Sequence, residues 1–347
     1  MKNMPVTVKQ METDVDKRKY TYDNLKFLLI VLVVLGHCIG ISSYTKTVES
    51  FKSAFCFIYF LHMPGFIFTA GLFCKNTVRS RKRTQEKVLY YLALYVLLQA
   101  YITLVRYYFF RSLSFSLFKV DGLPWFMLVM AFFYGLTYIL RRFDKRFILF
   151  LAILTACLAG YDDGIGSFLA VSRTIVYYPL FFLGYMLDPE WLLAKTRHIA
   201  CRVTGLLSLA FFAWLCLFRL ELVWMVKPLF SGKNPFSALP FPVWGSVWRL
   251  IYYVVIFYYL LCLLAVSPEK KNIFTVVGQR TLQIYFFHFS LIYVLETSHL
   301  CEALRDILPG GVWQLSFIGM ALIIVLIFSL PFWGIPFDYV RKKCRME

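Results

Sequence analysis

The chain has 347 residues, of which 60% are hydrophobic and 16% charged, whereas an ordinary soluble domain carries roughly a quarter charged residues. That balance excludes a soluble fold, since too little polar surface exists to cover it, and makes a lipid bilayer the partner that solvates the chain. The net charge of +18 invites nucleic acid as a partner, but the basic residues sit in short clusters between apolar segments, the distribution of membrane topology, and nucleic acid is excluded on that ground.

Residues 1–19 read as a flexible cytoplasmic arm. The first apolar run begins near Leu25 and is too long for a cleaved signal sequence. A spanning helix needs about twenty largely apolar residues. Ten candidates follow at 24–41, 52–74, 87–110, 123–140, 146–160, 168–187, 200–219, 242–266, 280–298 and 312–334, the fifth being short. Their apolar runs are continuous rather than alternating, which selects helices over a barrel. The expected fold is an all-α integral membrane domain over residues 20–340 with about ten transmembrane helices, closed by a short basic cytoplasmic tail at 341–347. With boundary charges counted in the adjacent loop, 25 of the 37 Lys and Arg fall on one side, 7 on the other and 5 within spans. The bias places both termini in the cytoplasm. The longest outer loop, 220–241, carries Pro228, Pro235 and Pro240 and is expected to cover the outer mouth of a cavity. No internal repeat is visible, so the inverted-repeat signature of many transporters is missing. Nine cysteines form no CxxC and no ligand spacing. Cys38, Cys56, Cys157, Cys216 and Cys262 read as small hydrophobes, and no metal site is expected.

Ionisable and polar groups within spans cost several kcal/mol unless they meet a cavity or a partner. They are Lys26, His37, His62, Gln99, Arg106, Arg173, Arg219, Arg249 and His288. Counted at the 1.5 Å helical rise, His37 lies about 20 Å from the inner end of its helix, His62 and Gln99 about 18 Å and Arg173 about 21 Å. The shared layer predicts a polar cavity. His37 follows an unbroken apolar run and Gly36, which leaves room for a ligand. It reads either as a general base or as a hydrogen-bonded histidine joining two helices. His62 precedes Met63-Pro64, so it reads either as a site residue or as the donor to the carbonyl that the proline frees. Arg173 keeps its proton and requires an anion, a carbonyl cluster or a ligand, with Glu221 and Asp162–Asp163 as acidic candidates. Gln99 also suits interhelical bonding. Arg106, Arg219 and Arg249 are expected to reach the outer interface, and Lys26 the inner one. By the same count His288 lies about 10 Å from the inner face and outside the layer.

One inner loop is strongly basic, with Lys75, Arg79, Arg81, Lys82 and Arg83, and is followed by Arg141, Arg142, Lys145 and Arg146. Such a cluster suits a phosphorylated ligand or serves as topogenic charge and an anionic-lipid contact.

These residues carry a resemblance. Tyr22-Asp23-Asn24-Leu25-Lys26 through Leu35-Gly36-His37 resembles the first helix of the acyltransferase family 3 membrane enzymes. Phe60-Leu61-His62-Met63-Pro64 with Phe68-Thr69-Ala70-Gly71-Leu72 resembles the family's F-x-H-M-P-x-F-F-x-x-S-G-F region, with Ala70 for Ser and Leu72 for Phe. Arg79–Arg83 falls where the family has its arginine pair, and Lys26 replaces a frequent arginine. Pro124-Trp125-Phe126, Arg173 with Tyr178–Tyr185, and Gly278–His288 resemble further segments in the same order. The nearest flavour is the fucose 4-O-acetylase-like branch. The resemblance implies about ten helices and an acyl-CoA donor, usually acetyl-CoA, arriving from the cytoplasm. The acceptor is a hydroxyl of a sugar, glycan or lipid-linked glycan at the outer face. His37 matches the family's essential histidine, and Arg79, Arg81, Lys82 and Arg83 match its donor motif, with Lys26 beside them.

The expected function is therefore O-acyl transfer at the plasma membrane, with His37 as base or acyl carrier and Arg173, His62 and Gln99 completing the catalytic set. A transporter or flippase of a glycan or lipid is the alternative, with the polar layer as its translocation site.

Overall fold

The computed structural model describes residues 8–41, 47–120, 122–166 and 168–346, with side chains from residues 20–40 and from 47 onward. Residues 1–7 of the expected arm and residue 347 of the tail lie outside the described residues. In chain order the helices are α1 Val8–Ile41, α2 Glu49–Leu72, α3 Lys75–Val78, α4 Arg81–Phe110, α5 Trp125–Leu140, α6 Lys145–Ala159, α7 Val171–Met186, α8 Pro189–Thr196, α9 Ile199–Phe218, α10 Leu220–Val226, α11 Gly245–Val266, α12 Ile273–Gln279, α13 Thr281–Thr297, α14 Leu300–Ile307, α15 Val312–Phe328 and α16 Ile335–Lys343. Among the described residues the only strand-like pairing is an isolated bridge between Lys119 and Phe168.

All ten apolar segments are helical. Tyr20–Gly40 of α1, α2, α4, α9 and Pro242–Val266 are long and apolar enough to cross a membrane, and α15 with Pro331–Lys343 makes a sixth if that pair, bent by 69°, is one span. The remaining segments, α5, α6, α7 and α13, have 16, 15, 16 and 17 residues, short of the length that spans a bilayer without thinning it. The short helices α8 and α12 have 8 and 7 residues, with apolar runs far too brief to span. They start on polar caps instead, with Asp188 accepting from Glu190 and Trp191 N–H and Asn272 forming a reciprocal box with Thr275.

Helix α1 is central and packs on α2, α12, α13 and α15. Its start is tied down by the Asp23-Asn24 pair. Asp23 accepts from Gln279 at 2.9 Å and pairs with Lys26 at 2.7 Å. Asn24 donates to the carbonyls of Pro268 and Lys270 and accepts from Thr275 Oγ1. Without an apolar driving force between helices in lipid, close backbone approach must supply the packing. Helices α2 and α7 achieve it at Gly71 and Gly184, where an added Cβ would overlap the carbonyl oxygens of Phe181 and Phe68 respectively. Gly71→Ala and Gly184→Ala should each force these helices apart and cost at least about 1–3 kcal/mol. Thermal unfolding in detergent should show a lower midpoint, and an unchanged midpoint would show that the helices can slide to accommodate a methyl group.

The 220–241 loop does not hang free over the bilayer. Four successive carbonyls pin it to the core: Leu229 accepts from Arg249, Phe230 from Tyr177, Ser231 from Arg173 and Gly232 from Ser172. Gly232 adopts φ +61°, and its bare backbone rests on the Tyr177 ring.

Candidate active site

His37 is half-buried near the carboxyl-terminal end of α1, surrounded by rings. Its centroid lies 4.9 Å from Phe289, 5.3 Å from His288 and 6.4 Å from Tyr59. Tyr59 in turn meets the ring of His62 edge-on at 4.9 Å. Helices α1, α2 and α13 therefore gather three histidines, His37 and His62 about Tyr59 and His288 against His37. The expectation that His288 lies outside the layer is corrected. A rise counted along each helix from one common plane ignores tilt and side-chain reach, both of several ångströms.

The tautomers follow from the partners. A carbonyl can only accept, so His62 Nδ1, 2.7 Å from Ile58 O, carries the proton and leaves Nε2 as acceptor. His288 is fully buried, and its Nδ1 donates to Ile284 O and Tyr285 O at 3.0 and 2.9 Å. Its Nε2 is buried with no partner among the described residues. A lone pair so placed, with the His37 ring as its neighbour, is an acceptor waiting for a donor. The proline explanation of His62 is not what is found. Pro64 frees the carbonyl of Phe60, four residues back, whereas His62 bonds that of Ile58.

Arg173 is met by carbonyls rather than by the proposed acids. It donates to Ser231 O and Val120 O at 3.4 and 3.5 Å, and its guanidinium lies 4.7 Å from the Trp125 ring. Asp163 accepts from Ser237 instead, and Asp162 from Gly164 N. Arg173 remains within electrostatic reach of Tyr59, Tyr177 and Tyr285. Gln99 does not join the cluster: among the described residues no hydrogen bond or ring contact links it to His37, His62 or Arg173. Its Oε1 is buried without a partner. Arg249 corrects the expectation of an interfacial side chain. It is fully buried, bonds Leu229 O at 3.0 Å, and lies near the rings of Phe236 and Tyr252. The 3₁₀ turn at Lys227–Ser231 folds over it and closes the route to the surface.

Two cavities flank the ring cluster. One, of about 350 Å³, lies beside the first turns of the apolar Tyr20–Gly40 part of α1, with Lys26, Phe73 and Lys87 on its wall and Phe126 and Tyr285 among its lining. The Tyr285 ring is 6.0 Å from His288. Lys87 holds its ammonium over the rings of Tyr90, Tyr91 and Tyr134. The other cavity, of about 560 Å³, is lined by Arg106, Tyr293 and Glu296 and has Phe289 on its wall. His37 lines neither cavity but is one ring away from the second and two from the first: Phe289 is on the wall of the second, and His288 leads to Tyr285 on the wall of the first. The third cavity, about 230 Å³ and apolar, lies between α9, α11 and the 220–230 segment. That is where the proline-rich loop contributes, rather than at the mouth of either cavity beside His37.

Arg79, Arg81, Lys82 and Arg83 are exposed and do not line the Lys26 cavity. Three of them occupy the first turn of α4, which holds no acidic residue. The helix dipole already makes that end positive, so three cations there repel unless an anion is present. One turn after Arg83 stands Lys87, which sequence reasoning missed although it continues the basic run into the helix. Tyr59 was missed for want of any signal among 23 tyrosines.

Among the described residues the protein is helical, with five or six helices long and apolar enough to cross a membrane and a histidine cluster near two cavities. The chain belongs to the acyltransferase 3 family, whose acyltransferase domain matches residues 19–335. It is a multi-pass membrane acyltransferase. No curated protein and no solved structure matches it.

Proposed function

We propose that the protein is a membrane O-acetyltransferase of the fucose 4-O-acetylase-like kind. It spans the plasma membrane about ten times with both termini cytoplasmic, and moves an acetyl group from acetyl-CoA to a sugar hydroxyl at the outer face. The observation that carries this reading is that His37 packs on Phe289, on the wall of one cavity, and on His288, whose neighbour Tyr285 is on the wall of a second cavity that also holds Lys26 and Lys87. The donor's phosphates are assigned to the basic turn of α4 with Lys87 and Lys26, and its thioester to the Lys26 cavity ending at Tyr285. The acceptor enters from the other side. His37 takes the hydroxyl proton, the oxygen attacks the thioester carbonyl carbon, the C–O bond forms and the C–S bond breaks. The proton passes to the departing sulfur. Positive charge on Arg173 favours the oxyanion. A covalent acyl-His37 intermediate is a second route to the same products.

The test is transfer of labelled acetyl from acetyl-CoA to a sugar by purified protein in proteoliposomes. Glycan movement without any label transfer would instead favour the transporter reading. Neutralising Arg79, Arg81, Lys82 and Arg83 should raise the donor KM about tenfold or more, since each removed charge-assisted contact weakens binding. Misplaced termini in reporter fusions of these variants, with the donor KM unchanged, would make the cluster topogenic only.

A further inference from the structure

The cavity on the Phe289 side of His37 has a composition that selects its occupant. Its volume of about 560 Å³ falls in the range of roughly 300–1,000 Å³ of small-molecule sites. Arg106 donates through Nε to the Tyr293 hydroxyl at 3.2 Å. Its two terminal nitrogens have no acceptor among the described residues. Tyr293 is held by the rings of Phe110, Phe289 and Phe109 at 5.1, 5.4 and 6.2 Å. Its oxygen accepts from Arg106, so its own proton is left to donate. Glu296 lines the same cavity, yet among the described residues it forms neither a hydrogen bond nor an ion pair. Arg106 and Glu296 are both exposed and feel each other's charge without closing to ion-pair distance, so strong donors and strong acceptors lie side by side. Ser112 adds a hydroxyl of either sense, and Phe110 and Phe289 supply apolar faces. The Thr103 hydroxyl, through the Ser114 carbonyl, holds the connecting loop in place at 3.3 Å.

We infer that this cavity is the acceptor subsite and that it takes a neutral sugar residue, whose hydroxyls are read by Arg106, Tyr293 and Glu296. The inference rests on the acetyltransferase reading above. A sugar hydroxyl both donates and accepts, so it satisfies the guanidinium and the carboxylate together. A uronic acid would satisfy Arg106 but bring its carboxylate against Glu296, and a cationic amino sugar would reverse the conflict. Phe289 forms the wall nearest His37, at 4.9 Å between rings, so a hydroxyl passing its edge reaches the reacting centre.

The experiment uses the full chain in proteoliposomes with labelled acetyl-CoA. The acceptors are the methyl glycosides of glucose, galactose, mannose, fucose and rhamnose, methyl glucuronide, methyl glucosaminide, and dodecyl glycosides of the same neutral sugars. At least one neutral sugar should be acetylated well above the glucuronide and the amine. Preference for the methyl or the dodecyl form then identifies a soluble or a lipid-linked source. Arg106→Gln and Glu296→Gln, both at exposed positions and so safe for folding, should each raise that sugar's KM about tenfold or more, with a much smaller change in the donor KM. Equal use of charged and neutral sugars, or an unchanged acceptor KM in both variants, overturns the assignment while leaving acetyl transfer standing. No label transfer and no acetyl-CoA hydrolysis by the wild-type protein overturns the underlying reaction, and the subsite with it.

Discussion

A His37→Ala protein inserts and folds, yet transfers acyl groups at least about 10²–10⁴-fold more slowly than the wild type, the usual loss when a general base is removed. The expectation rests on surroundings rather than on residue type. Among the described residues His37 makes no hydrogen bond, so neither of its ring nitrogens is spent on holding helices. It is half-buried, and its ring packs against those of Phe289 and His288, which also touch each other. His37→Gln restores polarity without basicity and is expected to be as inactive. A purely structural histidine gives the reverse pattern, with a lower melting temperature but normal turnover per folded molecule. A well-folded His37→Ala enzyme with near-normal turnover would remove this residue from the chemistry.

The second large effect is expected at His288, acting as a positioning residue through His37. With Nδ1 committed to two carbonyls, its Nε2 can only accept, and it has no partner among the described residues, so a donor from the neighbouring His37 ring would satisfy it. That contact would fix which His37 nitrogen carries the proton and which is the base. His288→Asn keeps a donor near Nδ1 but loses the acceptor at Nε2, and should lower kcat about tenfold to a hundredfold with little change in either KM. His288→Gln places an amide oxygen near the Nε2 site and should recover part of that loss. The pH–rate profile separates the roles: loss of orientation moves the apparent pKa of the base, whereas a packing defect lowers activity evenly across pH. Equal kcat in the Asn and Gln variants with an unmoved profile would rule out positioning.

The hydrophobic runs made the helices legible, since every one of the ten segments is helical, though only five, or six with the bent pair, are long and apolar enough to cross a membrane. Helices α8 and α12 escaped since their apolar runs are too short to stand out and their clearest signal is a polar cap. In the site, His37 and His62 were found by the cost of burying an imidazole, and they do meet about Tyr59. His288 was equally visible but was ranked out by an axial depth count that knows nothing of tilt. Arg173 was expected to need an anion or a carbonyl cluster. The carbonyls it uses come from Val120 and Ser231, in two loops far apart in sequence, a pairing that only the tertiary fold brings about. Arg249 failed for a related reason: a charge near a helix end reads as interfacial until a loop folds over it.

The packed rings of Tyr285, His288, His37 and Phe289 also have an electrical meaning. On the proposed reaction the hydroxyl proton moves to the thiol while the acyl carbon, leaving its bonding pair on sulfur, moves the opposite way. Alcohol becomes ester and thioester becomes thiol with no change of charge on either side. Each elementary charge that crossed the full field would be worth about 2.3 kcal/mol per 100 mV, and none crosses. Acetylation by this route would run equally in an energised and a depolarised membrane and draw nothing from the proton gradient.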